Sequence, residues 1–135
     1  MTQQQFWNNK FSNQDFFYGK NPNKFLESKL ELLKGCKKLL CLGEGEGRNA
    51  IFFAKNGFDV TAIDASNLGL EKLDKRTKKK NLDIKTVCMD LNDWKSDEKY
   101  DVIVASYLHL YKNEREKKKK KIENSLKLNG YFIAE

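Results

Sequence analysis

Strand-length apolar runs alternate along this chain with segments of helical periodicity, and this order restricts the fold more than any other feature of the sequence. Five runs predict β-strands, over residues 37–42, 58–64, 83–90, 99–108 and 131–135. Four segments predict helices, over residues 22–34, 47–57, 66–80 and about 114–128. Because parallel strands need crossover connections, the alternation predicts an α/β fold: a doubly wound, mainly parallel sheet with helices on both faces.

Apolar spacing and turn residues refine two of these helices. The helix over residues 47–57 is predicted to bury Ile51, Phe52 and Ala54. The sequence Asn129-Gly130 is predicted to end the last helix, which uses Leu126 and Leu128 for packing.

Size and charge limit the classes of protein. At 135 residues the chain suits a single domain, and no stretch reaches the ~18–20 consecutive apolar residues that a membrane span needs. The polar N-terminus lacks the basic and apolar regions of a secretory signal, so we expect a cytoplasmic protein. The net charge of +7 comes mostly from lysine blocks at 74–81 and 114–124. Solvated helix faces explain these blocks better than nucleic-acid binding, because no aromatic residues are interleaved with the lysines.

The cysteines and the single histidine do not form a metal-binding pattern. No two of the three cysteines, Cys36, Cys41 and Cys88, have C-x-x-C spacing, and His109 is the only histidine. Cys41 and Cys88 lie in apolar strand-like runs, where a thiol behaves as a small hydrophobic side chain. We therefore expect neither a metal site nor a disulfide framework.

A glycine-rich turn, Gly43-Glu44-Gly45-Glu46-Gly47, joins the first predicted strand to the helix after it. In a doubly wound sheet, ligands bind at the carboxyl ends of the strands. Glycine lets the backbone take left-handed conformations and approach a ligand closely. The first N–H groups of the following helix point into the same cleft. Glycine turns after strands are common, so the interpretation needs support from neighbouring strands.

Aspartates end the next two predicted strands. Asp64 lies about 20 residues after Gly43, where an acidic side chain accepts hydrogen bonds from the hydroxyls of an adenosine ribose. Asp90 ends the third strand, where a carboxylate can accept a hydrogen bond from an adenine amino group. Each aspartate alone also suits a turn or a helix cap. Together, the three consecutive strand ends favour an adenosine-containing ligand.

The glycine spacing distinguishes among adenosine cofactors. Dinucleotide-binding turns follow G-x-G-x-x-G, whereas this chain has G-x-G-x-G and places Arg48 at the position of the third glycine. This spacing suits a cofactor without a pyrophosphate. The sequence G-x-x-x-x-G-K-[ST] is absent, which disfavours ATP hydrolysis.

Four ordered segments resemble the class I S-adenosylmethionine-dependent methyltransferases, most closely the small tellurite-resistance and thiopurine-type enzymes. These segments are LLCLGEGEGRNAIFFAKNGFDVTAID, VCMDLNDW, YDVIVASYLHL and LKLNGYFIAE. The resemblance implies a Rossmann-like core over residues 36–135, preceded by a cap and first helix over residues 1–35 that line the cofactor cleft. It also implies S-adenosyl-L-methionine as cofactor and S-adenosyl-L-homocysteine as product.

The resemblance further implies which residues meet the cofactor. The methionine part would lie against Gly43, Glu44, Gly45, Arg48, Asn49 and Ser106. The adenosine would lie against Asp64, Ala65, Ser66, Met89, Asp90 and Leu91, with Asp64 on the ribose and Asp90 on the adenine amino group. Trp7 and Tyr18 would roof the site, although ordinary packing explains them equally well. No catalytic residue is implied, and a lone histidine such as His109 is more often structural than a base.

The chain departs from the family pattern in two places. Many class I enzymes carry an acid two residues before the first glycine, where this chain has Cys41. The family fold continues with two further strands, an antiparallel pair, whereas this chain ends on Glu135 at the fifth strand. The sequence thus indicates a C-terminally truncated chain that lacks the last two strands of the family, which puts its independent activity in doubt.

The predicted function is methyl transfer to a small-molecule acceptor by in-line displacement, in which positioning supplies much of the rate. The strand end ASYL lacks the Asn/Asp-Pro-Pro-Tyr arrangement of the enzymes that methylate amino groups of DNA bases or glutamine. This difference favours a small-molecule substrate. The alternative is a non-catalytic, methyltransferase-like module that binds the cofactor or RNA.

Overall fold

The structure is a computed structural model, and it describes residues 2–12, 24–43, 47–95, 98–105 and 112–134. Its helices are α1 (Gln3–Phe11), α2 (Lys24–Ser28), a 3-10 helix (Leu30–Leu33), α3 (Arg48–Lys55), α4 (Asn67–Lys80) and α5 (Lys112–Ser125). Its strands are β1 (Lys38–Leu42), β2 (Asp59–Asp64), β3 (Ile84–Cys88), β4 (Tyr100–Ala105) and β5 (Leu126–Ala134). None of the helices in these ranges is long and apolar enough to span a bilayer.

The described strands form a parallel sheet in the order β3-β2-β1-β4-β5. Strand β1 lies in the middle, and its Leu42 is level with Ile63 of β2 and with Ala105 of β4. The chain winds outward from β1 through β2 to β3, and then crosses to β4 and β5 on the other side. This topology confirms the predicted doubly wound sheet and puts its switch point between the carboxyl ends of β1 and β4.

Two buried clusters cover the two faces of the sheet. On one face, Leu39 and Cys41 of β1 pack with Phe53 of α3 and Leu73 of α4. On the other face, Leu40 and Leu42 of β1 pack with Ile122 of α5. Leu91 and Trp94, from the connection between β3 and β4, belong to the same cluster. Alternate side chains of a strand point to opposite faces, so β1 contributes to both clusters. Helices therefore lie on both faces, as predicted.

Helix α1 lies outside the helices predicted from the sequence, and its first turn explains why it forms. The Oγ1 atom of Thr2 accepts a hydrogen bond from the Gln5 N–H at 3.1 Å, and the Gln5 side chain accepts one from the Thr2 N–H at 2.9 Å. This reciprocal capping box satisfies two N–H groups at the start of the helix. The helix then packs against α4.

The segment predicted as one helix over residues 22–34 is instead α2 followed by the 3-10 helix. The Lys29 N–H donates to the Leu26 carbonyl at 3.1 Å, and the Leu32 N–H donates to the Lys29 carbonyl at 3.0 Å. Such three-residue hydrogen bonds tighten the helical turn. As a result, both Leu26 and Leu33 reach the buried cluster that contains α3 and α4.

The buried face of α3 differs from the prediction at two of the three residues expected to be buried. Ile51 is buried as expected, but Phe53 is fully buried, whereas Phe52 and Ala54 are half-buried. The ring of Phe53 makes edge contacts with Phe52 and with Phe58, at centroid distances of 5.3 and 5.5 Å. Ala50 and Phe53 are three residues apart and therefore share the core-facing side of the helix.

The junction between α5 and β5 also corrects the prediction. Helix α5 ends at Ser125 and β5 begins at Leu126, so Asn129-Gly130 does not end the helix. Leu126 pairs with Tyr100 of β4 instead of continuing the helix, and a register shift follows. Asn129 takes a φ of 65° in this irregular stretch, as at a β-bulge. Leu128, predicted to pack, is 94% exposed.

Candidate functional site

The carboxyl ends of three adjacent strands bring together Gly43, Asp64 and Asp90, which we call the edge row. Gly43 follows β1, Asp64 ends β2, and Asp90 follows β3 by two residues. Hydrogen bonds fix the strand ends in register. The Gly43 N–H donates to the Ile63 carbonyl at 2.8 Å, and the Met89 N–H donates to the Asp64 carbonyl at 2.9 Å. The edge row therefore lies beside the switch point, where ligands bind in such sheets.

Glycine is required at both ends of the turn after β1. Gly43 has a φ of 70° and Gly47 a φ of 87°, which are left-handed conformations that side chains disfavour. A Cβ atom on Gly47 would also overlap Cδ1 of Leu73. The Gly47 carbonyl accepts the first hydrogen bond of α3, from the Ile51 N–H at 2.9 Å. The turn thus brings the start of α3 tightly against α4.

Arg48 and Asn49 form the first turn of α3, at the same edge of the sheet. Arg48 is half-buried. Asn49 is only 2% exposed and offers almost no surface to a ligand. Of these two residues, Arg48 is the more exposed.

Asp64 is held in a fixed direction at the end of β2. Only 5% of its surface is exposed, and its Oδ1 atom accepts a hydrogen bond from the Ser66 N–H at 2.8 Å. Ser66 is fully buried and caps α4, as predicted, because its Oγ atom accepts the Gly69 N–H at 3.1 Å. Ala65 lies between these two residues, and its carbonyl accepts a hydrogen bond from the Cys88 thiol at 3.7 Å. The carboxylate and the helix cap therefore form one rigid unit.

Asp90 lies in a turn of the same kind. Its Oδ1 atom accepts the Asn92 N–H at 2.9 Å, and its carbonyl accepts the Asp93 N–H at 2.9 Å. Both edge-row aspartates thus make the local turn bonds that aspartate favours. These bonds also fix the direction of the carboxylates. Leu91 is buried and Met89 half-buried, and both pack in the cluster beneath the turn.

Two lysines of α5 hold the turn after β3. The Nζ atom of Lys118 donates to Asn92 Oδ1 at 3.1 Å, and that of Lys121 donates to the Asn92 carbonyl at 2.8 Å. Lys118 is only 5% exposed, unlike its exposed neighbours in the lysine block, and its hydrogen bond with the exposed Asn92 is partly buried. No sequence pattern reveals this contact, because Asn92 and Lys118 are far apart in the chain and neither forms a motif.

Helix α1 reaches the edge row through a residue that the sequence analysis also missed. Asn8 contacts Ser66, Asn67 and Leu68 at the start of α4. The predicted roof residue Trp7 is half-buried, and its indole N–H donates to Gln3 Oε1 at 3.1 Å. Its ring stacks on Phe11 at a centroid distance of 5.7 Å. The capping-box spacing of Thr2 and Gln5 is the signal that could have revealed the helix.

Other residues singled out from the sequence do not belong to the described part of the site. Tyr18, Glu44, Gly45, Ser106 and His109 lie outside the described residues. Cys41, which stands where many class I enzymes have an acid, is fully buried beneath the sheet face and not at its edge. Among the described residues, no three His, Cys, Asp or Glu side chains are grouped closely enough to hold a metal ion.

Comparison with known proteins identifies the family. Residues 5–133 match the model of the family described as "Tellurite resistance protein TehB". The probable S-adenosyl-L-methionine-dependent methyltransferase TehB of Haemophilus influenzae (strain 10810) is 34% identical over 83 residues, which are 62% of this chain and 29% of that protein. The chain therefore spans less than a third of this curated relative.

Solved structures share the fold. The crystal structure of TehB from Haemophilus influenzae has a TM-score of 0.76 and 24% identity, covering 98% of this chain and 45% of that one. The glycopeptide N-methyltransferase MtfA complexed with S-adenosylmethionine has a TM-score of 0.73 and 20% identity, covering 88% and 55%. These likenesses confirm the predicted Rossmann-like methyltransferase fold. Because the family match extends over nearly the whole sequence, the chain belongs to the tellurite resistance protein TehB family.

Proposed function

We propose that this chain transfers a methyl group from S-adenosyl-L-methionine to a small-molecule acceptor by in-line displacement. The edge row carries the proposal, because it aligns a left-handed glycine and two oriented carboxylates along three adjacent strand ends. Membership of the TehB family supports it, since the curated relative is named a probable S-adenosyl-L-methionine-dependent methyltransferase.

The chemistry of the edge row fits this cofactor. Gly43 has no side chain to obstruct the methionine part at the end of β1. The Asp64 carboxylate matches the two hydroxyl donors of a ribose. In the part of the chain that the structure describes, only Oδ1 of Asp90 accepts a hydrogen bond, which leaves Oδ2 for an adenine amino group. When bound, the cofactor supplies a methyl group activated by the positive charge on sulfur.

We assign to the cofactor both the described residues and those that lie outside the described ranges. The described ones are Trp7, Gly43, Arg48, Asp64, Ala65, Met89, Asp90 and Leu91, together with Asn49 and Ser66, which are buried and are assigned to orient the site rather than to touch the cofactor. The others are Tyr18, Glu44, Gly45 and Ser106. In this assignment the residues bind and orient, and no side chain acts as a general base. Holding acceptor and cofactor in line accounts for much of the rate of such a reaction.

The remaining sequence predictions extend the proposal. We propose that residues 1–35 form the cap of the site and residues 36–135 its core. The acceptor is a small molecule and not a nucleic acid, and a location in the cytoplasm stays a prediction. The name of the family directs the first acceptor screen to tellurite, with selenite and low-molecular-weight thiols beside it.

The test is titration calorimetry with S-adenosylhomocysteine on the unaltered chain and on substituted variants. Asp64→Asn keeps an acceptor oxygen for the Ser66 N–H but removes the charge that would bind the ribose hydroxyls. We expect the dissociation constant to rise by about 100-fold, because hydrogen bonds to charged groups contribute about 1.5–3 kcal/mol each. Asp59→Asn is the matched control, since Asp59 is exposed at the opposite end of the same strand.

Three outcomes separate the candidate functions. Binding of S-adenosylhomocysteine but not NAD, weakened by Asp64→Asn alone, supports the cofactor assignment. Transfer of labelled methyl groups to an acceptor then supports the enzyme, whereas binding without transfer to any acceptor in the screen favours a non-catalytic module. Equal affinity of the Asp64→Asn and Asp59→Asn variants would contradict the ribose assignment.

A further inference from the structure

One face of α1 is directed at the edge of the sheet that carries the edge row. Gln4, Asn8 and Phe11 recur at spacings of four and three residues and so share one side of the helix. Phe11 is 3% exposed. The Gln4 amide contacts the Cys88 thiol at the end of β3, at 3.8 Å. Helix α1 therefore lies beside the carboxyl end of β3 and the first turn of α4.

Asn8 makes the polar contacts that fix α1 in this position. Its Oδ1 atom accepts the Ser66 hydroxyl at 2.6 Å and the Leu68 N–H at 3.4 Å. Its Nδ2 atom donates to Asn67 Oδ1 at 2.8 Å. One amide side chain thus connects α1 to the first turn of α4. These residues are more than 50 positions apart in sequence, so the contact belongs to the folded state.

Ser66 connects Asn8 to Asp64 through two hydrogen bonds. Its hydroxyl oxygen accepts the Gly69 N–H at 3.1 Å, so the hydroxyl proton is the part that Asn8 engages. Its backbone N–H donates to Asp64 Oδ1 at 2.8 Å. Because Ser66 is fully buried, it has no water to replace a lost partner. A buried network of this kind is rigid when complete and unfavourable when one member is missing.

We infer that Asn8 is a positioning residue, which couples the docking of α1 to cofactor binding through Ser66 and Asp64. The inference rests on the proposed function and extends it from the sheet edge to the N-terminal helix. Asn8 orders the cap of α4, and the cap fixes the carboxylate that meets the ribose. Coupling of this kind is reciprocal, so cofactor binding stabilises the docked α1 as much as docked α1 favours the cofactor.

The experiment measures the affinity of the 135-residue chain for S-adenosylhomocysteine by calorimetry, in a double-mutant cycle. The variants are Asn8→Ala, Ser66→Ala and the pair, with Asn9→Ala as control. Asn9 is the neighbouring exposed residue of the same helix, so the control repeats the substitution away from α4. We expect Asn8→Ala to weaken binding by about 10-fold and Asn9→Ala by less than about 2-fold.

The cycle distinguishes positioning from a general loss of structure. If Asn8 acts through Ser66, its substitution has little further effect in the Ser66→Ala background, because the connection is already broken. Additive effects would mean that Asn8 acts independently of Ser66 and would overturn the inference. Equal affinities of the Asn8→Ala and Asn9→Ala variants would overturn it as well.

Hydrogen exchange on the unaltered chain supplies a test that needs no variant to fold. We expect S-adenosylhomocysteine to slow exchange of the α1 amides beyond Phe6 by several-fold, since α1 docks more firmly when the site is filled. Unchanged exchange in α1 despite saturated binding would overturn the coupling alone. Failure of the unaltered chain to bind S-adenosylhomocysteine would overturn the proposed function and this inference together.

Discussion

Gly47 combines two demands that no other residue type meets. Its φ of 87° is left-handed, and the space where a Cβ atom would lie is taken by the side chain of Leu73. Leu73 is fully buried and cannot move aside freely. We expect Gly47→Ala to lower the free energy of unfolding by about 2–4 kcal/mol, from backbone strain and overpacking together. Urea denaturation measures this change.

Gly35 is the matched control for that substitution. Its φ of 86° is nearly the same, but in the described ranges no atom beyond its two chain neighbours lies within 4 Å of the position of a Cβ. Gly35→Ala therefore carries the backbone strain alone, and we expect a loss of about 1 kcal/mol. Equal losses for the two variants would show that the contact with Leu73 relaxes without effect.

Asp101 stabilises the opposite edge of the sheet. Its Oδ2 atom accepts the N–H groups of Lys38 and Lys37 at 2.9 and 3.0 Å, across from β4 to the start of β1. These hydrogen bonds hold the pKa of the Asp101 carboxyl below its usual value. The folded state thus favours the ionised form, whose stabilisation is present above the unfolded pKa of ~3.9 and is lost as pH falls through the folded pKa.

We expect Asp101→Asn to lower the free energy of unfolding at pH 7 by about 1–2 kcal/mol, because a charged acceptor is replaced by a neutral one. The difference from the unaltered chain shrinks as the pH is lowered from 5 towards 3. Thermal unfolding across this range measures both effects. Asp83→Asn makes the same change of charge at an exposed loop position. A constant difference at all pH values would contradict the assigned role of the carboxylate.

At the scale of elements, α5 and the turn after β3 depend on one another through Asn92. Asn92→Ala takes an amide oxygen away from the ammonium group of Lys118, a residue that is only 5% exposed. We expect a loss of about 1–3 kcal/mol in the free energy of unfolding, because a buried charge loses an acceptor. In a Lys118→Met background the same substitution has less than about 0.5 kcal/mol of effect.

Chemical denaturation of the four proteins in this cycle measures the coupling between α5 and the turn. Asp93→Ala, the neighbouring exposed position, controls for loss of a side chain from the same turn. Effects of Asn92→Ala that are the same in both backgrounds would mean that the contact with Lys118 contributes nothing.

The elements also show what sequence patterns can and cannot predict. Strands β1 to β4 and helix α4 lie within their predicted ranges, because apolar runs and a serine cap are local signals. The end of α5 was predicted wrongly, since pairing of Leu126 with Tyr100 is a tertiary contact that overrides helical periodicity. The sequence Asn129-Gly130 is typical of a positive φ, and Asn129 does have one, but within β5 and not at the end of a helix.

The same distinction applies to the candidate site. Gly43, Asp64 and Asp90 are candidates that the sequence alone offers, because each lies at or just after the end of a strand that the sequence marks. Asn8, Asn92 and Lys118 were not found, because their roles come from contacts between distant parts of the chain. Spacing predicts which strand ends meet a ligand, whereas the residues that orient those ends emerge only from packing.

At the scale of the whole molecule, the cofactor is expected to stabilise the fold. A ligand at 100 times its dissociation constant adds about 2.7 kcal/mol to the free energy of unfolding. For a domain of this size we expect the midpoint of thermal unfolding to rise by about 10 °C with S-adenosylhomocysteine. Scanning calorimetry with NAD at the same concentration is the control. An equal rise with both ligands, or the same rise in the Asp64→Asn variant, would contradict a specific site.

The contact between Gly47 and Leu73 also limits how this sequence can diverge. The two positions share one volume, although they belong to different helices and lie on different sides of β2 in the chain. A smaller residue at position 73 would make room for a side chain at position 47 but would leave the strain of its φ of 87°. Over evolutionary time we therefore expect position 73 to change before position 47, so that substitution in the glycine turn depends on the core residue of α4.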